Sequence, residues 1–154
     1  MEAWRMRIVV DGDSCPVKAE IADTAGRFGV PVIMVASYDH VLQPEPGVEV
    51  VQVDRSGQSA DLYIAAHVEK GDIVVTQDYG LAALVIARAC HGLSPRGDVY
   101  HAGNIDYLLE RRHHQAKARR AGHHGKGPKP FTGEDRERFT AALSKLLSRL
   151  QENV

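Results

Sequence analysis

The strongest constraint on the fold is a regular alternation between short apolar runs and segments with helical spacing. The apolar runs, rich in β-branched residues, lie at residues 7–13, 31–37, 48–53 and 72–78. The helical patterns lie at residues 16–28, 60–69 and 79–90. Strands that alternate with helical segments of about 10–15 residues form βαβ units, whose strands pair in parallel. The pattern therefore predicts an α/β fold with a mostly parallel sheet.

The last third of the chain is mainly helical. Residues 98–100 are a short run that adds an edge strand, so that the predicted sheet has four or five strands. A helix is predicted over 104–120, and glycines and prolines interrupt the chain between 121 and 130. An apolar stripe then predicts a C-terminal helix over about 134–150. We interpret residues 1–154 as a single domain.

Composition excludes several classes of protein. Apolar residues make up 44% and charged residues 25% of the 154 residues, which is typical of a globular domain and not of a disordered chain. No apolar run approaches the roughly 18–20 residues of a membrane span, and we expect no secretory signal at the N-terminus. Two cysteines cannot make a disulfide framework. We therefore expect a cytoplasmic protein without a membrane partner.

Charge is distributed unevenly along the chain. Residues 111–130, which we call the basic arm, hold seven of the 19 basic residues and none of the 20 acidic ones. Such a segment can neutralise phosphates without reading sequence, which predicts a nucleic-acid partner. Arg96, in a Pro-Arg-Gly turn, is a further candidate for a phosphate contact. The basic residues of the arm are Arg111, Arg112, Lys117, Arg119, Arg120, Lys126 and Lys129.

Acidic residues collect at the carboxyl ends of the predicted strands. Asp11 and Asp13 end the first strand, Asp78 ends the fourth, and Asp61 falls in the first turn of a helix. Ligands of open parallel sheets bind at this edge. Clustered carboxylates repel one another unless a cation lies among them or some are protonated. Oxygen ligands without nearby Cys or His favour Mg²⁺ or Mn²⁺ over zinc.

The same acids have a second interpretation. An aspartate at a strand-to-helix junction often caps the helix by accepting its free N–H groups. Asp78 and Asp61 both precede or begin predicted helices and could have only that role. Cys15 also lies at a helix start, where it is interpreted as a packing residue in preference to a nucleophile.

Several motifs in register resemble the YaiI/YqxD family of small bacterial proteins, over about residues 7–150. They are DGDSCP (11–16), ADLYIA (60–65), VVTQDYGLA (74–82), LSPRGDVY (93–100) and GKGPKPFTGEDRERF (125–139). The resemblance implies a PIN-like fold, which is a three-layer α/β/α sandwich, and a metal-dependent nuclease site. Asp11, Asp13, Asp61 and Asp78 match acids of the family motifs, whereas Gln58 stands where many members have an acid.

We predict a Mg²⁺- or Mn²⁺-dependent nuclease that acts on RNA in preference to DNA. Asp11, Asp61 and Asp78 are its predicted metal ligands, Asp13 assists catalysis, and the basic arm holds the nucleic-acid backbone. The first alternative is a non-catalytic RNA-binding module with a degraded site, which Gln58 favours. A lesser alternative is a phosphatase of the haloacid-dehalogenase type, for which a phosphoaspartate at Asp11 would be diagnostic. The sequence makes no prediction about oligomeric state.

Overall fold

The described part of the chain forms one six-stranded sheet with helices on both faces. The computed structural model describes residues 6–37, 45–54, 60–122 and 130–152. The strands are β1 (Ile8–Asp11), β2 (Val32–Ser37), β3 (Val48–Val53), β4 (Ile73–Val75), β5 (His91–Leu93) and β6 (Val99–Tyr100). The helices are α1 (Lys18–Phe28), α2 (Ala60–His67), α3 (Tyr79–Ala87), α4 (Ala102–Arg120) and α5 (Gly133–Glu152).

The strand order across the sheet is β3-β2-β1-β4-β5-β6. Neighbouring strands are parallel from β3 to β5, and β6 is antiparallel to β5. In the central strand β1, Ile8 lies between Val32 of β2 and Ile73 of β4. The carboxyl ends of β1, β4 and β5 therefore open at one edge of the sheet, and β2 and β4 lie on either side of β1.

Alternation along β1 builds the two halves of the core. Ile8 and Val10 are fully buried in the cluster that contains residues of α1 and α5. Val9, between them, packs in the opposite cluster with residues of α2 and α3. Successive strand side chains point to opposite faces, so each face is covered by its own pair of helices. The predicted α/β sandwich with a mostly parallel sheet is confirmed.

The sheet of the described residues has one strand more than the largest number predicted. The additional strand, β5, follows α3, which ends at Ala87 where the sequence pattern predicts helix up to residue 90. β5 contains no β-branched residue and has a glycine at its centre. A Cβ atom on Gly92 would lie 3.1 Å from a ring carbon of Tyr100 on β6. Close packing of this ring therefore favours glycine over a typical strand residue.

Two helix starts differ from the predicted ones. The helix predicted from residue 16 begins at Lys18, because residues Gly12–Ser14 first form a turn of 3₁₀ helix. The helix predicted from residue 104 begins at Ala102. Its N-cap is His101, whose Nδ1 accepts a hydrogen bond from the Gly103 amide (3.1 Å). Asn104 completes the capping box by accepting from the backbone N–H of His101 (2.9 Å).

Helix α4 carries the first half of the basic arm. Ile105 is buried, whereas most side chains from 110 to 120 are exposed. Residues 111–120 of the basic arm are therefore the second half of α4. Residues 123–129 lie outside the described part of the chain. Among the described helices, none combines the length and the apolar character needed to cross a membrane.

Candidate active site

The structure brings the four predicted acidic residues to one cavity of about 490 Å³, which we call the acid cavity. Asp11 is the last residue of β1, and Asp13 lies in the 3₁₀ turn that follows. Asp78 follows β4 and Asp61 begins α2. The described residues that line this cavity are Asp11, Asp13, Ala60, Asp61, Gln77, Asp78, Tyr79 and Arg112. The parallel sheet thus places carboxylates from three distant segments at one edge.

Asp11 is the most buried of these four acids, with 9% of its surface exposed. The Thr76 hydroxyl donates a hydrogen bond to its Oδ2 (3.1 Å). Burial raises the pKa of Asp11, and the carboxylates of Asp13, Asp61 and Asp78 raise it further, against the opposing effect of the Thr76 hydrogen bond. Asp11 is therefore a carboxylate whose charge is unfavourable in this position unless a cation lies beside it.

Asp13 is oriented by the neighbouring strand. Its Oδ1 accepts hydrogen bonds from the backbone N–H of Ser37 (2.8 Å) and from the Ser37 hydroxyl (3.2 Å). These bonds connect the turn after β1 to the end of β2. They leave Asp13 on the wall of the acid cavity and fix the direction of its carboxylate.

Asp78 has the capping role that its position at a helix start indicates. Its Oδ1 accepts hydrogen bonds from the amides of Gly80 (2.8 Å) and Leu81 (3.2 Å), and its own amide donates to Thr76 Oγ1 (2.9 Å). The capping interpretation is confirmed for this residue. Capping uses one carboxylate oxygen, so Asp78 also lines the acid cavity while it stabilises α3.

A positive charge from the basic arm reaches the same place. Arg112 of α4 lines the acid cavity, and its NH1 lies 3.7 Å from Asp78 Oδ1. The Arg112 side chain is 63% exposed, so this is a weak, solvent-screened ion pair. Among the described lining residues, one guanidinium therefore faces four carboxylates, which leaves the cavity strongly acidic.

The donor set of the acid cavity fits a hard cation. It offers carboxylate oxygens, and the buried Asp11 carboxylate is repelled by its three neighbours. In the arrangement that the structure shows, no three Asp, Glu, His or Cys side chains of the described residues form a group able to hold a metal ion. Mg²⁺ is usually bound by only one or two carboxylates and completes its shell with water and phosphate oxygens. The acids therefore fit a Mg²⁺-type ion that takes one or two carboxylates and completes its coordination with other oxygen ligands.

The remaining predicted phosphate contacts are distributed differently. Four of them are exposed on α4, namely Arg111, Lys117, Arg119 and Arg120. Two more, Lys126 and Lys129, lie outside the described residues, as does Gln58. Arg96 donates to Asp135 Oδ2 (2.8 Å) and lies over the Phe131 ring, 5.4 Å from its centre. Arg96 therefore joins the turn after β5 to the start of α5. Hydrogen bonds from Thr132 are the main cause of the lowered pKa of Asp135, and the ion pair with Arg96 lowers this pKa further.

Residues that sequence reasoning did not single out complete the site. Thr76 links Asp11 to Asp78 through its hydroxyl, and Gln77 and Tyr79 line the acid cavity. Their position directly around Asp78 at the end of β4 is the sequence signal that could have identified them. Cys15 is buried, and burial raises the pKa of its thiol to about 11, as expected for a packing residue.

Comparisons with known proteins found a matching family model, sequence relatives and a structural neighbour. Residues 9–149 match the sequence model of the family described as "Uncharacterized BCR, YaiI/YqxD family". A UPF0178 protein of Bacillus velezensis is 46% identical over an alignment of 157 positions, which covers 96% of this chain and 94% of the relative. A UPF0178 protein of Halalkalibacterium halodurans is 45% identical over 141 residues, which cover 92% and 90%. A crystal structure of Rae1 (YacP) from Bacillus subtilis superposes with a TM-score of 0.42 at 17% identity, over 94% of this chain and 99% of that one.

Proposed function

The chain belongs to the YaiI/YqxD family, and we propose that it is a Mg²⁺- or Mn²⁺-dependent nuclease that cleaves phosphodiester bonds of RNA in preference to DNA. The observation that carries this proposal is the acid cavity, where the buried Asp11 is surrounded by three further carboxylates beside a basic helix. Carboxylates alone would repel a nucleic acid. A divalent ion held by the acids would bind a phosphate of the nucleic acid. The exposed cations beside the cavity could then pair with the flanking phosphates.

Each residue has a distinct role in this proposal. Asp11, with Asp61 or Asp78, would hold the ion, and Asp13 would accept a hydrogen bond from a water molecule in the cavity. Arg112 would pair with a phosphate oxygen once that phosphate enters the cavity beside Asp78. When bound, the ion supplies charge neutralisation at the phosphate and lowers the pKa of water.

The exposed second half of α4 would bind the flanking backbone. Arg111, Lys117, Arg119 and Arg120 extend from the acid cavity along the second half of this helix. Contacts of this kind position a strand without reading its bases.

The direct test is an assay with labelled single-stranded RNA and DNA of identical sequence, in Mn²⁺, Mg²⁺ or EDTA. We expect cleavage of RNA with either metal and none in EDTA. Equal cleavage of the DNA would contradict the preference for RNA but not the nuclease. No cleavage with any divalent ion would contradict the nuclease.

A non-catalytic RNA-binding module is the second candidate, and two observations favour it. Asp13 and Asp78 are both engaged in hydrogen bonds that stabilise the fold, and no three described acids form a group able to hold an ion. A binding module would retain RNA in EDTA with unchanged affinity. The nuclease, in contrast, should bind RNA more tightly in Ca²⁺ or another non-cleaving ion, because the ion links the phosphate to the acids.

Removing charges from α4 should weaken binding equally for all sequences. The double variant Arg111→Gln, Lys117→Gln keeps good helix formers at two exposed positions. For a single strand, we expect the slope of log affinity against log salt to become shallower by about 0.7 for each phosphate that is no longer neutralised. Fluorescence anisotropy at several salt concentrations measures this slope. Arg27→Gln removes one positive charge at a 60% exposed position on α1, away from α4, and should leave the slope unchanged.

A further inference from the structure

A second and larger cavity adjoins the acid cavity. Its volume is about 910 Å³, within the range of pockets that hold small organic ligands. Asp13, Gln77 and Tyr79 line both cavities, so the two share a wall at the carboxyl ends of β1 and β4. A molecule whose phosphate lies at the acids could therefore extend directly into this second space.

The second cavity is rich in aromatic side chains, and we call it the aromatic cavity. Its described lining includes the rings of Tyr79, Tyr100, Tyr107 and Phe131. Tyr107 projects from α4 with 65% of its surface exposed, whereas Tyr100 is buried. A large exposed ring at the mouth of a cavity offers a stacking surface for a planar ligand.

The aromatic cavity is held in a fixed relation to the acids. The Tyr100 hydroxyl donates a hydrogen bond to the backbone carbonyl of Thr76 (3.1 Å), the residue that also contacts Asp11. Tyr79 lies edge-on to Tyr100, with ring centres 5.9 Å apart. The turn after β5 is close-packed as well, because a Cβ atom on Gly97 would lie 2.9 Å from the backbone of Arg138. The wall beside the acids is therefore preorganised.

Positive groups border the same cavity. Lys18 lines it and donates to the Cys15 carbonyl (3.0 Å), and Arg96 lines it beside Phe131. Both bring cationic side chains to a lining that also holds the carboxylates of Asp13 and Asp98 and that is otherwise mainly aromatic or apolar. Flat rings combined with nearby cations are the features by which proteins bind unpaired nucleotides.

We propose that the aromatic cavity binds the unpaired base of a nucleotide next to the phosphate held at the acid cavity. This inference rests on the proposed function and gives its substrate class, which is single-stranded nucleic acid. In a duplex, the base would be stacked and paired, and it could not enter the cavity without being extruded. Tyr107 is the stacking residue that this assignment depends on most, since its exposed ring is accessible to a base.

The test compares two probes of equal length and charge in Ca²⁺, the non-cleaving ion, which would hold a phosphate at the acids while neither probe is cleaved. One is a fluorescently labelled uridine decamer, and the other is the same decamer with abasic positions. We expect the wild-type chain to bind the base-bearing decamer about 10-fold more tightly, which corresponds to about 1.4 kcal/mol. In Tyr107→Ala this preference should disappear, whereas Tyr107→Phe, which retains the ring, should keep most of it.

Leu84→Ala is the matched control, because Leu84 is 51% exposed on α3 and lines neither cavity. It should retain the full preference, and thermal melting should show that all variants are folded. Equal affinity of the wild-type chain for the two decamers would overturn the inference, as would a preference that survives in Tyr107→Ala. Cleavage in Mn²⁺ is scored separately. A base preference without cleavage would reject the nuclease and keep the base site, and cleavage without a base preference would do the reverse.

Discussion

Replacing Asp11 by asparagine should strongly reduce metal-dependent cleavage without weakening the fold. Asparagine has the same shape, and its carbonyl oxygen can accept the hydrogen bond that Thr76 donates to Asp11 Oδ2. What disappears is the buried negative charge, on which the proposed ion depends. We expect cleavage to fall at least about 100-fold, which corresponds to about 2.7 kcal/mol of transition-state stabilisation. Gel-based cleavage and Mn²⁺ binding by calorimetry measure the two effects.

Asp23→Asn is the matched control for this variant. Asp23 lies on α1 in an exposed ion pair with Arg27, and it lines neither cavity. It removes the same charge from the chain without changing the site, so cleavage and Mn²⁺ affinity should remain at the wild-type level. Wild-type cleavage by Asp11→Asn would show that Asp11 is not a metal ligand. Equal reductions in both variants would attribute the effect to net charge.

The stability of Asp11→Asn should also depend on pH in a defined direction. The pKa of Asp11 in the folded chain is raised above that of an unfolded aspartate, mainly by burial. Between the two pKa values the folded state binds more protons, so the wild-type chain loses stability as pH rises through this window. Asparagine does not titrate. In EDTA, the variant should therefore be more stable than the wild type at neutral pH, and the difference should vanish below the pKa of an unfolded aspartate.

The sequence predicted the main elements of the fold because local patterns determine them. The alternating apolar runs identified β1 to β4, and glycine marked the end of α1, where Gly29 has a positive φ of 69°. β5 was missed because its glycine is required by the ring of Tyr100 on the adjacent strand. That requirement is a tertiary contact, and no local pattern in the chain expresses it.

The candidate site was predictable to a similar extent. Parallel strands bring their carboxyl ends to one edge, so the meeting of Asp11, Asp61 and Asp78 followed from topology. The aromatic cavity did not follow from topology. Its rings Tyr79, Tyr107 and Phe131 come from three helical or loop segments whose packing the sequence pattern does not specify. Arg96 shows the same limit, since its partner Asp135 lies 39 positions away in the chain.

Replacing Phe139 by alanine should have the largest effect on stability. Phe139 is fully buried on the side of the sheet covered by α1 and α5, in the same cluster as Ile21 and Leu143. Removing a buried ring costs about 3–5 kcal/mol, because its apolar surface no longer packs and a cavity remains. A typical domain has only about 5–15 kcal/mol of stability, so this is a large fraction of the total. Chemical denaturation should show the destabilisation as a lower midpoint with an unchanged slope.

The same variant separates the stability of the fold from the chemistry of the site. No described residue of α5 lines the acid cavity, so Mn²⁺ affinity should be retained by Phe139→Ala at low temperature, where it remains folded. Leu84→Ala, at a 51% exposed position, should change stability by no more than about 0.5 kcal/mol. A destabilisation below about 1 kcal/mol in Phe139→Ala would show that α5 is not docked on the sheet in solution. Weaker Mn²⁺ binding by the folded variant would show that the packing of α5 positions the acids, because the substitution leaves all four carboxylates in place.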